Sequence, residues 1–153
     1  MIKIFLVTIC LLFYSFETKL DENFFSHKLI LKDINDNSIE FLVNIADTKE
    51  KQQKGLMFIK TMSDNQGMFF VWKNEKIRIF WMKNTFIPLD IIFFNSKGVL
   101  VDYHRNANPL SEELIVSKKP AKFVLEVKAG IHFESDFNKN KNLRIQNFNH
   151  INP

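Results

Sequence analysis

A chain of 153 residues, 46% hydrophobic and 25% charged, carries enough apolar material for one packed domain, which excludes an intrinsically disordered protein. Its formal net charge of +4 comes from Lys and Arg scattered among acids, the pattern of a solvated surface, and with an exported N-terminus it argues against a nucleic-acid partner. The single cysteine, Cys10, lies in the N-terminal apolar run, so the domain beyond it has no disulfide, thiol nucleophile or Cys-ligated metal.

Lys3 followed by the apolar run 4–16 reads as a signal peptide or an N-terminal anchor. The run is short against the ~20 residues of a membrane span. Residues 1–18 are therefore assigned to this segment, 19–26 to a linker, 27–148 to a single globular domain and 149–153 to a tail. The expected location is periplasmic or otherwise exported, with an inner-membrane contact only through the N-terminal segment if it stays uncleaved.

Strands are predicted over 27–34 and 39–45, joined by the turn formers Asn35-Asp36-Asn37-Ser38. In the second, Ile39, Phe41, Val43 and Ile45 alternate with Glu40, Leu42 and Asn44, the period of a half-buried strand. Asp47-Thr48-Lys49-Glu50 has capping-box spacing with Asp47 as the cap, and Gly55 ends a helix of about two turns. Leu56, Met57 and Phe58 are expected to return to the core. Strands follow over 68–72 and 76–82, the latter with Ile77, Ile79 and Trp81 sharing one face. A hairpin joins 91–94 to 99–103 through Asn95-Ser96-Lys97-Gly98. Residues 105–119 read as a polar loop, 123–127 as a strand, 131–137 as a helical turn, 138–142 as a loop and 143–148 as a final strand. Alternating short strands with one or two short helices predict a β-dominated α+β domain. Its sheet is small, twisted and mostly antiparallel, or a partly open barrel.

The chemistry concentrates in Phe80-Trp81-Met82-Lys83-Asn84-Thr85-Phe86-Ile87-Pro88-Leu89-Asp90, where Lys83, Asn84, Thr85 and Asp90 sit among large hydrophobes. Buried polar groups need partners, because an unpaired one costs about 1–3 kcal/mol. The segment is therefore either a structural corner, with Asp90 accepting backbone N–H groups from 83–89, or the floor of a site. Glu126 is a carboxylate that could act with Asp90. Trp72 and Trp81 could stack on a sugar or peptide, although Trp81, in phase with Ile77 and Ile79, reads as core. Met57, Met62, Met68 and Met82 are soft enough for Cu(I) but sit among Leu, Phe and Trp, as packing residues do. His27, His104, His132 and His150 lack metal-ligand spacing. No metal and no cofactor are expected.

Several of these motifs carry a family resemblance. Ile45-Ala46-Asp47-Thr48, Gly55-Leu56-Met57-Phe58, Gly67-Met68-Phe69-Phe70-Val71, Phe80-Trp81-Met82-Lys83-Asn84-Thr85-x-Ile87-Pro88-Leu89-Asp90-Ile91-x-Phe93 and Phe123-Val124-Leu125-Glu126-Val127-x-Ala129-Gly130 resemble the domain-of-unknown-function family numbered 192. The likeness spans about residues 40–148. It implies a compact, β-rich α+β domain of small, frequently exported prokaryotic proteins, with no established biochemical activity.

The resulting expectation is an exported, non-catalytic binding or accessory module. Its candidate ligand residues are Trp81, Lys83, Asn84, Thr85, Asp90 and Glu126, and its ligand is a small molecule, glycan or peptide. The competing expectation is a carboxylate-dependent hydrolase or transferase using Asp90 and Glu126, with Lys83 as electrostatic support.

Overall fold

A computed structural model describes residues 24–130 and 143–146. The expected leader at 1–18, most of the linker, the helical turn at 131–137, the loop at 138–142 and the tail lie outside the described residues. Nine strands and one helix are described: β1 His27–Lys32, β2 Ser38–Ala46, α1 Lys49–Lys54, β3 Gln66–Lys76, β4 Ile79–Phe80, β5 Leu89–Phe94, β6 Leu100–Ala107, β7 Ile115–Val116, β8 Ala121–Lys128 and β9 Arg144–Ile145. Seven strands form one curled sheet in the order β6-β5-β8-β3-β2-β1-β9, while β4 and β7 make a separate two-stranded ribbon. Among the described strands only β2 and β3 pair in parallel, and α1 lies on the connection between them. The domain is thus β-dominated, with a mostly antiparallel, half-barrel sheet.

The period of two along each strand divides the core into two layers. Met68, Phe70, Leu89, Ile91, Phe93 and Val124 point to one face. There they meet Leu56, Ile59, Met62, Met82 and Ile87 from the connections. Phe69, Val71, Ile92, Phe94, Phe123, Leu125 and Val127 point to the other face, with Leu29, Leu31, Phe41 and Val43. Central strands β5 and β8 are buried on both faces, which explains their nearly unbroken apolar sequences. Gly67 is required by packing: a Cβ there would lie 2.5 Å from the Glu126 carbonyl oxygen.

Several local expectations are corrected. Helix α1 is capped by Thr48, whose Oγ1 accepts from Lys51 N–H at 3.3 Å, while Asp47 pairs with Lys51 Nζ at 2.8 Å. After Gly55, Leu56 is buried but Phe58 is exposed. The expected strand 76–82 is mostly absent, because β3 runs through Lys76 and only Ile79 and Phe80 pair again, with Val116 and Ile115. Ile77, Ile79 and Trp81 face outward, at 46%, 61% and 41% exposure, and Met82 is buried instead. A period of two names two faces without saying which one is inward. The expected loop 105–119 contains the end of β6 and all of β7.

Candidate functional site

Glu126 sits at the middle of the sheet. Its strand, β8, is flanked by β5 and β3, so Glu126 lies opposite Ile91 on one side and Met68 on the other. Alternation along β8 puts it on the Val124 face, among apolar neighbours. It is 5% exposed, and its Oε2 is the buried side-chain polar atom without a hydrogen-bond partner among the described residues. Desolvation pushes its carboxyl up to about 8, so the group holds a proton at neutral pH. A protonated carboxyl is both donor and acceptor.

The chain passes close over this carboxyl at the end of α1. Gly55 has φ +49, and a Cβ there would approach Phe70 Cζ to 3.3 Å and Glu126 Oε2 to 3.6 Å. Glycine thus serves both the positive-φ helix end and the clearance above the acid.

A cleft of about 510 Å³ opens onto Glu126. Phe70, Trp72, Phe80 and Trp81 line it, with Gln52 and Thr85 contributing polar groups and Lys49 and Lys54 at its helical side. The rings brace one another. Phe70 stacks on Trp72 at 5.8 Å, and Phe80 meets Phe70 edge-on at 5.2 Å and Phe93 at 5.8 Å. Gln52 is fixed by donating Nε2 to Val71 O at 2.7 Å and Ala46 O at 3.3 Å. The arrangement is an apolar, aromatic slot with one unpaired hydrogen-bonding acid at its floor, the usual composition of a small-ligand site.

Of the six residues singled out in sequence, the cleft brings together Trp81, Thr85 and Glu126. Thr85 is buried and donates Oγ1–H to Lys83 O at 3.3 Å. Lys83 is turned to the outside, 3.5 Å from Glu112 and 5.0 Å over the Trp81 ring. Asn84 adopts φ 55 and accepts from Phe58 N–H at 2.8 Å through its carbonyl, so it shapes the turn. The corner is held by backbone bonds: Thr85 N–H to Met82 O at 3.0 Å, Leu110 N–H to Thr85 O at 3.0 Å and Met82 N–H to Ser111 O at 2.8 Å.

Asp90 lies elsewhere. It pairs with Val127, one register position from Glu126, and shares the opposite face of the sheet with Ile92. Its Oδ1 accepts from Asn106 N–H at 2.7 Å and its Oδ2 from the Tyr103 hydroxyl at 3.1 Å. The expected donors from 83–89 are replaced by these two from β6. Burial first, and the Asp90 carboxylate second, push the Tyr103 hydroxyl well above its ordinary value. Asp90 and Glu126 therefore do not converge on one reacting atom, and the carboxylate pair expected of a hydrolase or transferase is not assembled. No cluster of three or more His, Cys, Asp or Glu side chains that could hold a metal occurs among the described residues.

The sequence reading missed Gln52, Phe70 and Phe80 as cleft residues. Phe70 and Phe80 belong to motifs that also serve packing, Gln52 lies in the polar run of α1, and nothing local marks any of them as lining a cavity. The available signal was Glu126 itself, a lone acid inside the apolar run Phe123-Val124-Leu125-Glu126-Val127.

The DUF192 family model, described as an uncharacterised ACR, matches residues 30–145. A solved protein of Sinorhizobium meliloti 1021, described as a candidate transcription regulator, is 30% identical. It superposes with a TM-score of 0.72 over 78% of this chain and 91% of its own. A protein of unknown function from Novosphingobium aromaticivorans DSM 12444 is 28% identical, with a TM-score of 0.70 over 78% of this chain and 83% of its own. No curated protein matches the chain.

Proposed function

Because this chain belongs to the DUF192 family of uncharacterised proteins, we propose its function from the cleft itself: an exported, non-catalytic binding module whose ligand sits over Glu126. The observation that carries this reading is the unpartnered Oε2 of a nine-tenths-buried acid on the floor of an aromatic slot. An unsatisfied buried polar group costs stability that an apolar residue at the same place would not. A ligand that supplies the missing hydrogen bond recovers that cost. Trp81, open to solvent beside the acid, offers a flat apolar surface for a sugar ring or a peptide side chain. Export is supported by Lys3 and the apolar run 4–16.

The test is a thermal-shift screen of small molecules, neutral oligosaccharides and short peptides at pH 7 on wild type, Glu126→Leu and Trp81→Ala. A specific ligand raises the melting temperature of wild type in a concentration-dependent way and loses that effect in both variants. Shifts of equal size in all three proteins would remove the cleft from consideration. Intact-mass analysis of fractionated cells checks export: full-length protein in the soluble cytoplasmic fraction contradicts it.

A further inference from the structure

A second cleft adjoins the first, and Trp72 and Gln52 line both. It measures about 640 Å³ and is bordered by Lys73, Lys76, Arg78 and Lys122, with Asp47 as its acid. Its origin is a break in pairing between β3 and β8. Val71 pairs with Phe123 and Lys76 with Ala121, so residues 72–75 are opposed by Lys122 alone and the strand bows outward.

Charge in this cleft is not balanced. Asp47 is already paired with Lys51 at 2.8 Å. Lys73, Lys76 and Arg78 have no carboxylate partner among the described residues. Arg78 is the most constrained of the three. Its backbone N–H donates to Ser117 Oγ at 2.9 Å, and its carbonyl accepts from Ser117 N–H at 2.9 Å. Its guanidinium lies 4.1 Å from the Trp72 ring centroid, with Nε donating to Ala121 O at 2.9 Å and an Nη group to Asn74 O. Those bonds commit two of the five N–H donors of an arginine. Burial holds the guanidinium below its ordinary value, the direction expected of a cation lacking an anionic partner.

From this geometry we propose that the second cleft is an oxyanion site, in which Arg78, Lys73 and Lys76 take a carboxylate or phosphate group of the same ligand whose uncharged part lies over Glu126. A planar guanidinium fixed by backbone carbonyls and a stacked indole presents its remaining donors in a set direction, which suits two-pronged contact with such an anion. The two lysines add charge without demanding a geometry. The shared Trp72 and Gln52 make the two clefts one groove with a cationic half and a neutral, aromatic half. The ligand class is therefore a small acid bearing an apolar or sugar body. This inference rests on the binding reading of the first cleft, so the two are tested with different probes.

The probes are pyrophosphate and citrate, each titrated into the protein at constant ionic strength. The signal is the Trp72 indole N–H resonance in a proton–nitrogen correlation spectrum, identified with a Trp81→Phe variant. A saturable shift is expected with at least one of the two, and the preferred probe tells phosphate from carboxylate as the anion. The double variant Lys73→Gln/Lys76→Gln, which alters only exposed side chains, should weaken that dissociation constant at least tenfold. Arg78→Gln should abolish the shift. Lys60→Gln, an exposed side chain that lines neither cleft, should leave it within twofold of wild type. No saturable shift with either anion, or equal affinity in the lysine double variant, overturns the oxyanion site while leaving the screen on the first cleft to stand or fall alone.

Discussion

Asp90 and Glu126 are one register position apart on neighbouring strands, and both are almost completely buried, at 1% and 5% exposure. Their surroundings differ completely. Asp90 faces one core layer and has two donors, a backbone N–H and a tyrosine hydroxyl, on its two oxygens. Glu126 faces the other layer, leaves Oε2 without a partner and keeps its proton at neutral pH. Burial of a carboxyl therefore does not mark a site. The distinguishing quantity is whether its hydrogen-bonding capacity is met from within. Asp90 also supports backbone of unusual shape, since Asn106, whose N–H it accepts, has φ 50. A non-glycine residue in that region persists only where neighbours hold it.

The contrast can be broken by substitution. The largest effect is expected for Asp90→Ala, which removes from a buried position the acceptor of the Asn106 N–H and the Tyr103 hydroxyl. Loss of hydrogen bonds to a charged acceptor predicts destabilisation of about 3 kcal/mol, read from the urea midpoint. A midpoint at or above that of wild type would mean that Asp90 is not a structural acceptor.

Glu126 should behave in the opposite sense and depend on pH. Its folded-state value, about 8, is above the ordinary glutamate value of 4.5, so between these limits the folded protein binds more protons than the unfolded chain. Stability is then undiminished below pH 4.5 and is lost as pH rises through 8. Against Glu126→Gln, which cannot titrate, wild type should lose about 2 kcal/mol between pH 5 and 7, within the ceiling of about 1.4 kcal/mol per pH unit. Parallel stability profiles for the two proteins would show that the carboxyl is solvated or paired.

Smaller effects sharpen the comparison. Tyr103→Phe removes one of the Asp90 donors but leaves Asn106 in place, and should cost about 1 kcal/mol in a urea melt. Trp81→Ala changes an exposed ring beside the cleft, and should alter stability by less than about 0.5 kcal/mol while removing ligand-induced shifts. A loss of several kcal/mol on Trp81→Ala would place the ring in the core, as its alternation with Ile77 and Ile79 suggested.

That alternation shows where local pattern stopped being informative. Within 76–82 the phase of apolar residues is clear, but both phases are apolar: Ile77, Ile79 and Trp81 on one, Phe80 and Met82 on the other. Which of them is buried depends on where β3 ends and on β7, a two-residue strand from a segment with no strand signal of its own. The 83–90 corner is a similar case. Its polar residues stood out, yet its bonds run to Phe58, Leu110 and Ser111, which are distant in sequence. Asp90 could be recognised as an acceptor needing donors but not paired with Asn106 and Tyr103, because that pairing follows from the β5–β6 register.

The sequence by itself determined the β-rich class, the family likeness, the β1–β2 and β5–β6 hairpins and the short helix ending at Gly55. Period, turn formers and caps act over a few residues and need no distant partner. It also displayed Glu126 as an acid in an apolar strand. Only the tertiary structure decided that Glu126 lacks a partner and that Asp90 has two, and that the two acids point to opposite faces. It alone brought Gln52, Phe70, Trp72, Phe80 and Trp81 around one of them. Satisfaction of a buried group and enclosure of a cleft are properties of strands brought together from remote parts of the chain, and no local pattern encodes them.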